Sequence, residues 1–306
     1  MTAVLLMGCG DNEYLQAEKE YRQDGIAYMT SGDYDKAAEA FQKALDQAKN
    51  GIGDLEIDIC LYKAEALYQD GDLDGAVEVY SALIDYCGYP DAYYLRGNIY
   101  FSQGENEAGK SDLEQAIAGD PDNSELCICV YETMERYGMA EEAEPYLQTV
   151  VEQKGEKAAD KLLKGRAYEL LGETDKAIEY LQAAIDKGEA EANFYMAQLY
   201  TADGQAEEAE KYFQAYLESG KVTAESLQSL GENCMNTGDY EAALSYLNAA
   251  LELEPGEGYQ QLLKDAVIAN EYTGDFATAY SLLQQYTEKY PDDDEATAEL
   301  DFLSTR

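Results

Sequence analysis

Apolar residues recur three and four positions apart along nearly the whole chain, which is the period of a helical face. No sustained run alternates every second residue as a strand would. The clearest stretch runs from Gly231 to Pro255. It reads as the end of one helix, a tight turn at Gly238-Asp239, and a second helix stopped before Pro255. The same pattern is written from Gly25 to Leu45 and again from Gly165 to Ile185. Repetition at a fixed spacing governs the whole fold.

The turn glycine marks the register. It falls at Gly32, Gly71, Gly104, Gly138, Gly172, Gly204, Gly238 and Gly274, with spacings of 39, 33, 34, 34, 32, 34 and 36 residues. Five residues after each mark stands a small residue: Ala37, Ala76, Gly109, Ala143, Ala177, Ala209, Ala243 and Ala279. Nine residues after it stands a bulky one: Phe41, Tyr80, Leu113, Leu147, Leu181, Phe213, Leu247 and Leu283. Seven before it, Gly25, Ala64, Gly97, Gly165, Ala197 and Gly231 are small, while Tyr131 and Val267 depart. The pattern predicts paired helices in close approach, with the bulky residues as knobs on each second helix. Tyr28, Tyr100, Tyr168 and Tyr200, four before their marks, supply aromatic filler. Pro121, Pro255 and Pro291 follow their marks by 17 residues and stop the second helix. Pro145 falls inside a second helix and predicts an irregular start to it. The long first spacing predicts an extended loop around Asn50-Gly-Ile-Gly-Asp54.

Eight units in phase resemble the tetratricopeptide repeat family, over about residues 18–291; the chain departs from the family pattern in having no Trp. The resemblance implies an all-α fold, a right-handed α-α superhelix of about eight helix-turn-helix repeats plus a C-terminal capping helix. The repeats are expected over residues 14–291 and the cap over 292–306. Asp292-Asp-Asp-Glu295 would start the cap, with Ala296, Leu300 and Leu303 on its buried stripe. Each repeat in such an array buries its face only against its neighbours, so one continuous array is expected despite the length.

Charge narrows the function. The net charge is −42, from 63 acidic and 21 basic residues. Nucleic acid is excluded as a general partner, because phosphate neutralisation needs clustered Lys and Arg. Electrostatic docking on anionic lipid is disfavoured for the same reason. Histidine is absent, so no His-based dyad, triad or metal site exists. No catalytic residue, metal site or cofactor is expected, and the chain does not read as an enzyme. The acidic turns Gly71-Asp-Leu-Asp74 and Asp292-Asp-Asp294 lack the ligand spacing of a calcium loop. Cys60, Cys127 and Cys234 fall on buried faces by register, where a thiol acts as a small hydrophobe. Cys87, near a helix end, is expected nearer the surface.

Residues 1–9 end in Leu6-Met7-Gly8-Cys9, which resembles the lipobox of bacterial lipoproteins. The resemblance implies lipidation of Cys9, with residues 1–13 as signal remnant and polar tether. No basic n-region precedes the apolar run, so the reading frame is expected to begin upstream of Met1. Membrane association is then expected only through that lipid, at the extracytoplasmic envelope; the alternative is a cytoplasmic adaptor without an anchor.

The family resemblance implies that first helices line a concave groove. The positions thirteen, ten, six, three and two before each mark would face it. Read off the chain, the groove contains Tyr68, Tyr94, Asn98, Phe101, Ile128, Arg136, Leu162, Arg166, Phe194, Gln198 and Met235. Tyr68, Tyr94, Phe101 and Phe194 are expected as an aromatic stripe for a protein or peptide partner, with Arg136 and Arg166 as polar anchors. Part of this set is expected to pack between neighbouring first helices instead. The paired Lys and Asn of carboxylate-clamping family members are not reproduced.

Overall fold

In the computed structural model, residues 8–49, 51–253, 258–291 and 293–305 are described, with side chains from residue 14 onward. The side chain of Cys9, and all of Pro255 and Asp292, lie outside the described residues. The chain divides into two units, Met1–Glu152 and Gln153–Arg306. Among the described residues it is helical, with no strand.

The first unit holds four helix pairs. These are α1 (Gly8–Thr30) with α2 (Tyr34–Leu45), α3 (Asp54–Gln69) with α4 (Leu73–Cys87), α5 (Pro90–Ser102) with α6 (Asn106–Gly119), and α7 (Ser124–Arg136) with α8 (Ala140–Glu152). The second unit holds α9 (Ala158–Leu170) with α10 (Thr174–Asp186), α11 (Ala192–Ala202) with α12 (Ala206–Glu218), α13 (Ala224–Thr237) with α14 (Tyr240–Leu251), and α15 (Tyr259–Thr273) with α16 (Phe276–Lys289). Helix α17 (Asp294–Leu303) closes it. Eight helix pairs and a terminal helix reproduce the expected all-α repeat architecture. Asp293 starts the cap by accepting the Ala296 N–H at 3.0 Å, and Ala296 and Leu303 bury against Leu263, Val267 and Leu283.

One turn explains the recurring Gly-Asp pair. Gly238 ends α13 with φ 82°, a left-handed conformation that costs a glycine little. The Asp239 N–H then reaches back to the Cys234 carbonyl at 2.9 Å, as in a Schellman closure. Asp239 next caps α14 through the Ala242 N–H at 3.0 Å. A single dipeptide thus ends one helix and starts the next.

Where the residue seven before the mark is small, it meets the bulky one nine after it inside the same repeat. A Cβ on Gly25 would stand 2.5 Å from the Phe41 ring, on Gly165 2.6 Å from Leu181, and on Gly231 2.7 Å from Leu247. The residue seven before the mark is small because the knob nine after it sits there.

Two local departures are instructive. Helix α1 begins at Gly8, so residues 10–13, expected as a tether, have helical backbone. Helix α8 runs through Pro145, but its start is loose. The Ala143 N–H reaches Met139 O at 3.3 Å, where the equivalent bonds at Ala177 and Ala243 are 3.0 Å. Pro145 has no N–H to give the preceding turn, which weakens the start as expected. No described helix is long and apolar enough to cross a membrane.

Candidate functional site

The first helices α1, α3, α5 and α7 carry the predicted face in the first unit. The residue ten before the turn glycine does not face solvent alone; it reaches the following first helix. Arg22 donates from Nε to Asp58 Oδ2 at 2.6 Å and lies 5.3 Å from the Tyr62 ring centroid. Tyr94 Oη lies 3.4 Å from Thr133 Oγ1. Thr133 spends its one proton on Asn98 Oδ1 at 3.1 Å, so Tyr94 is the donor to Thr133. Asn98 closes the set by donating to the Tyr94 carbonyl at 3.0 Å.

The second unit repeats the device with other chemistry. Leu162 is buried against Ala192, Met196 and Leu199 of α11. Phe194 is buried with Leu227 and Leu230 of α13, edge-on to Tyr195 at 4.9 Å and tilted against Tyr216 at 5.7 Å. Gln228 Nε2 donates to Asp265 Oδ2 at 2.8 Å and to Glu232 Oε1 at 3.0 Å. Gln261 donates to the other Asp265 oxygen at 2.8 Å. Burial first, and then the neighbouring Asp265 charge, push the Glu232 carboxyl up.

Four residues expected in the groove are therefore corrected to the core: Phe101, Ile128, Leu162 and Phe194 are all buried. Leu162 and Phe194 are the packing between successive first helices. Ile128 occupies the same register position. Phe101 is buried for a different reason. Gly109 stands where seven repeats carry Ala, and the Phe101 ring lies 2.7 Å from where a Gly109 Cβ would be. The ring fills that slot and stacks on Tyr137 at 4.7 Å.

The remaining expected residues stay accessible. Tyr68 is 40% exposed and Arg136 is exposed. Tyr94, Asn98, Arg166, Gln198 and Met235 are half-buried. The Arg166 guanidinium lies 4.9 Å from the Tyr195 ring centroid, and Gln198 donates to Ser229 Oγ at 2.9 Å. Sequence reading missed Thr133, Ser229 and Asp265, the acceptors on the following helix. The available signal was polarity: Ser229 and Asp265 stand nine before their marks, where Tyr62, Leu95, Leu163 and Tyr195 are large and hydrophobic. Among residues expected only as part of the wider face, Tyr272 is 68% exposed and lies parallel to Tyr240 at 4.1 Å.

The face thus offers ring surfaces, amides, hydroxyls and one well-exposed guanidinium. The two buried thiols are not poised for reaction. Burial pushes Cys127 and Cys234 up to about 11, which keeps them protonated. Cys60, expected buried, is half-buried, and Cys87 is exposed as expected.

Family models described as tetratricopeptide repeat match residues 23–88 and 138–192, 170–234, 224–257, 90–123 and 259–293. Lipopolysaccharide assembly protein B of Escherichia coli K12 is 25% identical over 206 residues, 64% of this chain and 51% of that protein. A TPR repeat-containing protein of Methanocaldococcus jannaschii is 28% identical over 170 residues, 55% of this chain and 29% of that protein. The chain spans about half the length of the first relative and less than a third of the second. The crystal structure of a tetratricopeptide repeat protein from Parabacteroides merdae superposes with a TM-score of 0.52 at 16% identity, covering 82% of this chain and 99% of that one. That likeness bears on the fold alone. With the repeat models spanning most of the sequence and eight helix pairs in register, the chain belongs to the tetratricopeptide repeat family.

Proposed function

We propose that this protein is an interaction scaffold that binds a protein or peptide on the face of its first helices, and that a lipid on Cys9 holds it at the bacterial cell envelope. The observation that carries the binding face is the state of the positions six, three and two before each turn glycine. Tyr68, Arg136, Ile268 and Tyr272 are exposed there, and Asn98, Arg166, Gln198 and Met235 are half-buried. Aromatic rings and guanidinium groups on a rigid helical support are the usual carriers of interface energy. In the second unit Leu162, Phe194 and Gln228, ten before their marks, are buried and hold successive first helices in register, which keeps that unit's face preorganised.

Affinity capture with the full chain, read by mass spectrometry, identifies the partner. Tyr68→Ala and Tyr272→Ala should each weaken a captured partner by about 1–2 kcal/mol. Glu179→Ala, on the exposed side of α10, should change nothing. Equal affinity of all three variants would place the binding site elsewhere on the repeats.

The anchor reading rests on Leu6-Met7-Gly8-Cys9. It is in keeping with the partial likeness to a protein named for lipopolysaccharide assembly. Metabolic labelling with a palmitate analogue tests it: the label should be lost in Cys9→Ala, and its retention would sink the assignment.

A further inference from the structure

A cleft of about 530 Å³ opens in the second unit between repeats six and seven, on the side of their turns. Its floor includes Ala209, Ala242, Cys234 and Tyr246, and its rim carries Glu210, Asp239 and Glu241 with no basic residue. Lys211, next to Glu210 in sequence, lies 3.2 Å from Glu208 instead.

Three acids on an acidic protein would not by themselves define a site. Tyr246 supplies the independent observation. Its side chain is only 4% exposed and lines the cleft. Its phenol makes no hydrogen bond to any described residue. The preceding repeat shows what is missing. There Tyr212, eight residues after its mark like Tyr246, donates to Gln182 at 3.3 Å. Gln214 is the counterpart of Gln182, each ten residues after its mark. Gln214 turns its amide to Glu210 at 2.7 Å. The phenol is left without its partner, and Glu210 keeps one oxygen for a ligand.

Burial, with Cys234, Glu210 and Asp239 nearby, pushes the Tyr246 phenol up, so it stays protonated. Its oxygen can accept a hydrogen bond from a cation, and its proton can go to a rim carboxylate. An anion is the wrong occupant. Asp239 already takes one amide of the first turn of α14, and the acidic rim would repel a second negative group. The apolar floor suits the methylenes of a long side chain.

The geometry points to this cleft as a receptor for the ammonium or guanidinium group of a lysine or arginine side chain on the protein partner. The inference rests on the scaffold reading and gives the partner its chemistry. A partner with a basic side chain entering here would anchor at the turn side of repeats six and seven, apart from the first-helix face.

The test is fluorescence anisotropy on the full chain at physiological salt, with a labelled capped peptide bearing two lysines. A twin peptide with both lysines Nε-acetylated and the polyamine spermidine form the other arms. The lysine peptide should bind and its acetylated twin should be weaker by about tenfold or more. Tyr246→Phe, which removes no hydrogen bond to a described residue, should weaken the lysine peptide by about tenfold. Glu210→Gln combined with Glu241→Gln should weaken it further, and the remote Glu179→Gln should leave it unchanged. Unaltered binding in Tyr246→Phe and in the double variant would overturn the cleft. Spermidine binding tighter than the peptide, with the same sensitivity to these variants, would overturn a protein side chain as the occupant. A captured protein partner held equally by wild type and the Glu210→Gln, Glu241→Gln, Tyr246→Phe variant would overturn the cleft while leaving the scaffold reading standing.

Discussion

The seam between α1 and α3 in the first unit and the seam between α13 and α15 in the second are built at the same register position by different chemistry. In the first, Arg22 meets one carboxylate, Asp58, at 2.6 Å. In the second, Gln228 divides one neutral amide between Asp265 and Glu232. The arginine cancels the charge it binds; the glutamine leaves two carboxyls close together. Register therefore decides which residue bridges two repeats, while residue type decides whether the bridge depends on pH. The intervening seam at Phe194 uses neither, because it is apolar.

The largest effect separates apolar from polar seams. Phe194→Ala removes a buried ring between α11 and α13 and should cost about 3–5 kcal/mol in denaturant unfolding. Tyr94→Phe, at the same register position in the first unit, deletes one hydroxyl and keeps the ring. It should cost about 0.5–1.5 kcal/mol. Similar losses in both variants would mean that the seams do not differ in kind.

That contrast also marks what the sequence shows and what it hides. The turn glycines, the small residue seven before six of the eight marks and the knob nine after it are contacts within one repeat. Local spacing reports them, and Gly165 with Leu181 bears this out. The position ten before the mark contacts the next repeat, so its burial depends on what stands there. Phe194 reads as an exposed aromatic until Leu227 and Leu230 of α13 are set beside it. The burial of Phe101, expected in the groove, had one signal that was not read: Gly109, the one glycine among seven alanines, leaves the room of a missing methyl to be filled. The unpartnered phenol of Tyr246 was not legible at all, since it follows from the rotation of one amide, that of Gln214.

The pH dependence of the Gln228 seam gives the next effect. A carboxyl raised by folding favours the protonated fold. Its stability is whole below the ordinary value of about 4.3 and is lost as pH rises through the elevated value. Glu232 is the group raised here, by burial first and then by the Asp265 charge beside it. Glu232→Gln removes one of the two charges and should raise Tm at neutral pH by about 2–4 °C. The gain should vanish below about pH 4. Glu18, also pushed up by burial and then by Glu56, titrates in both proteins and cancels in the difference. A gain of the same size at both ends of a pH series of melts would remove repulsion as its cause. The Arg22–Asp58 seam, with its charges matched, should give no such gain in the same series.

Tyr68 gives the smallest effect on stability and, set beside Phe101, the sharpest test of the binding face. Both stand three before their marks. Phe101 is enclosed because Gly109 makes room for it. In the preceding repeat that place holds Ala76, itself buried, and Tyr68 stays at the surface. Phe101→Ala should behave as a core truncation, costing about 3–5 kcal/mol. Tyr68→Ala should fall within about 0.5 kcal/mol of wild type, because the ring gives up little buried area. Its whole effect should appear in affinity for a captured partner. A clear loss of stability in Tyr68→Ala would show that the ring supports the α3 packing. In that case the exposed rings of the first helices belong to the array and not to its ligand.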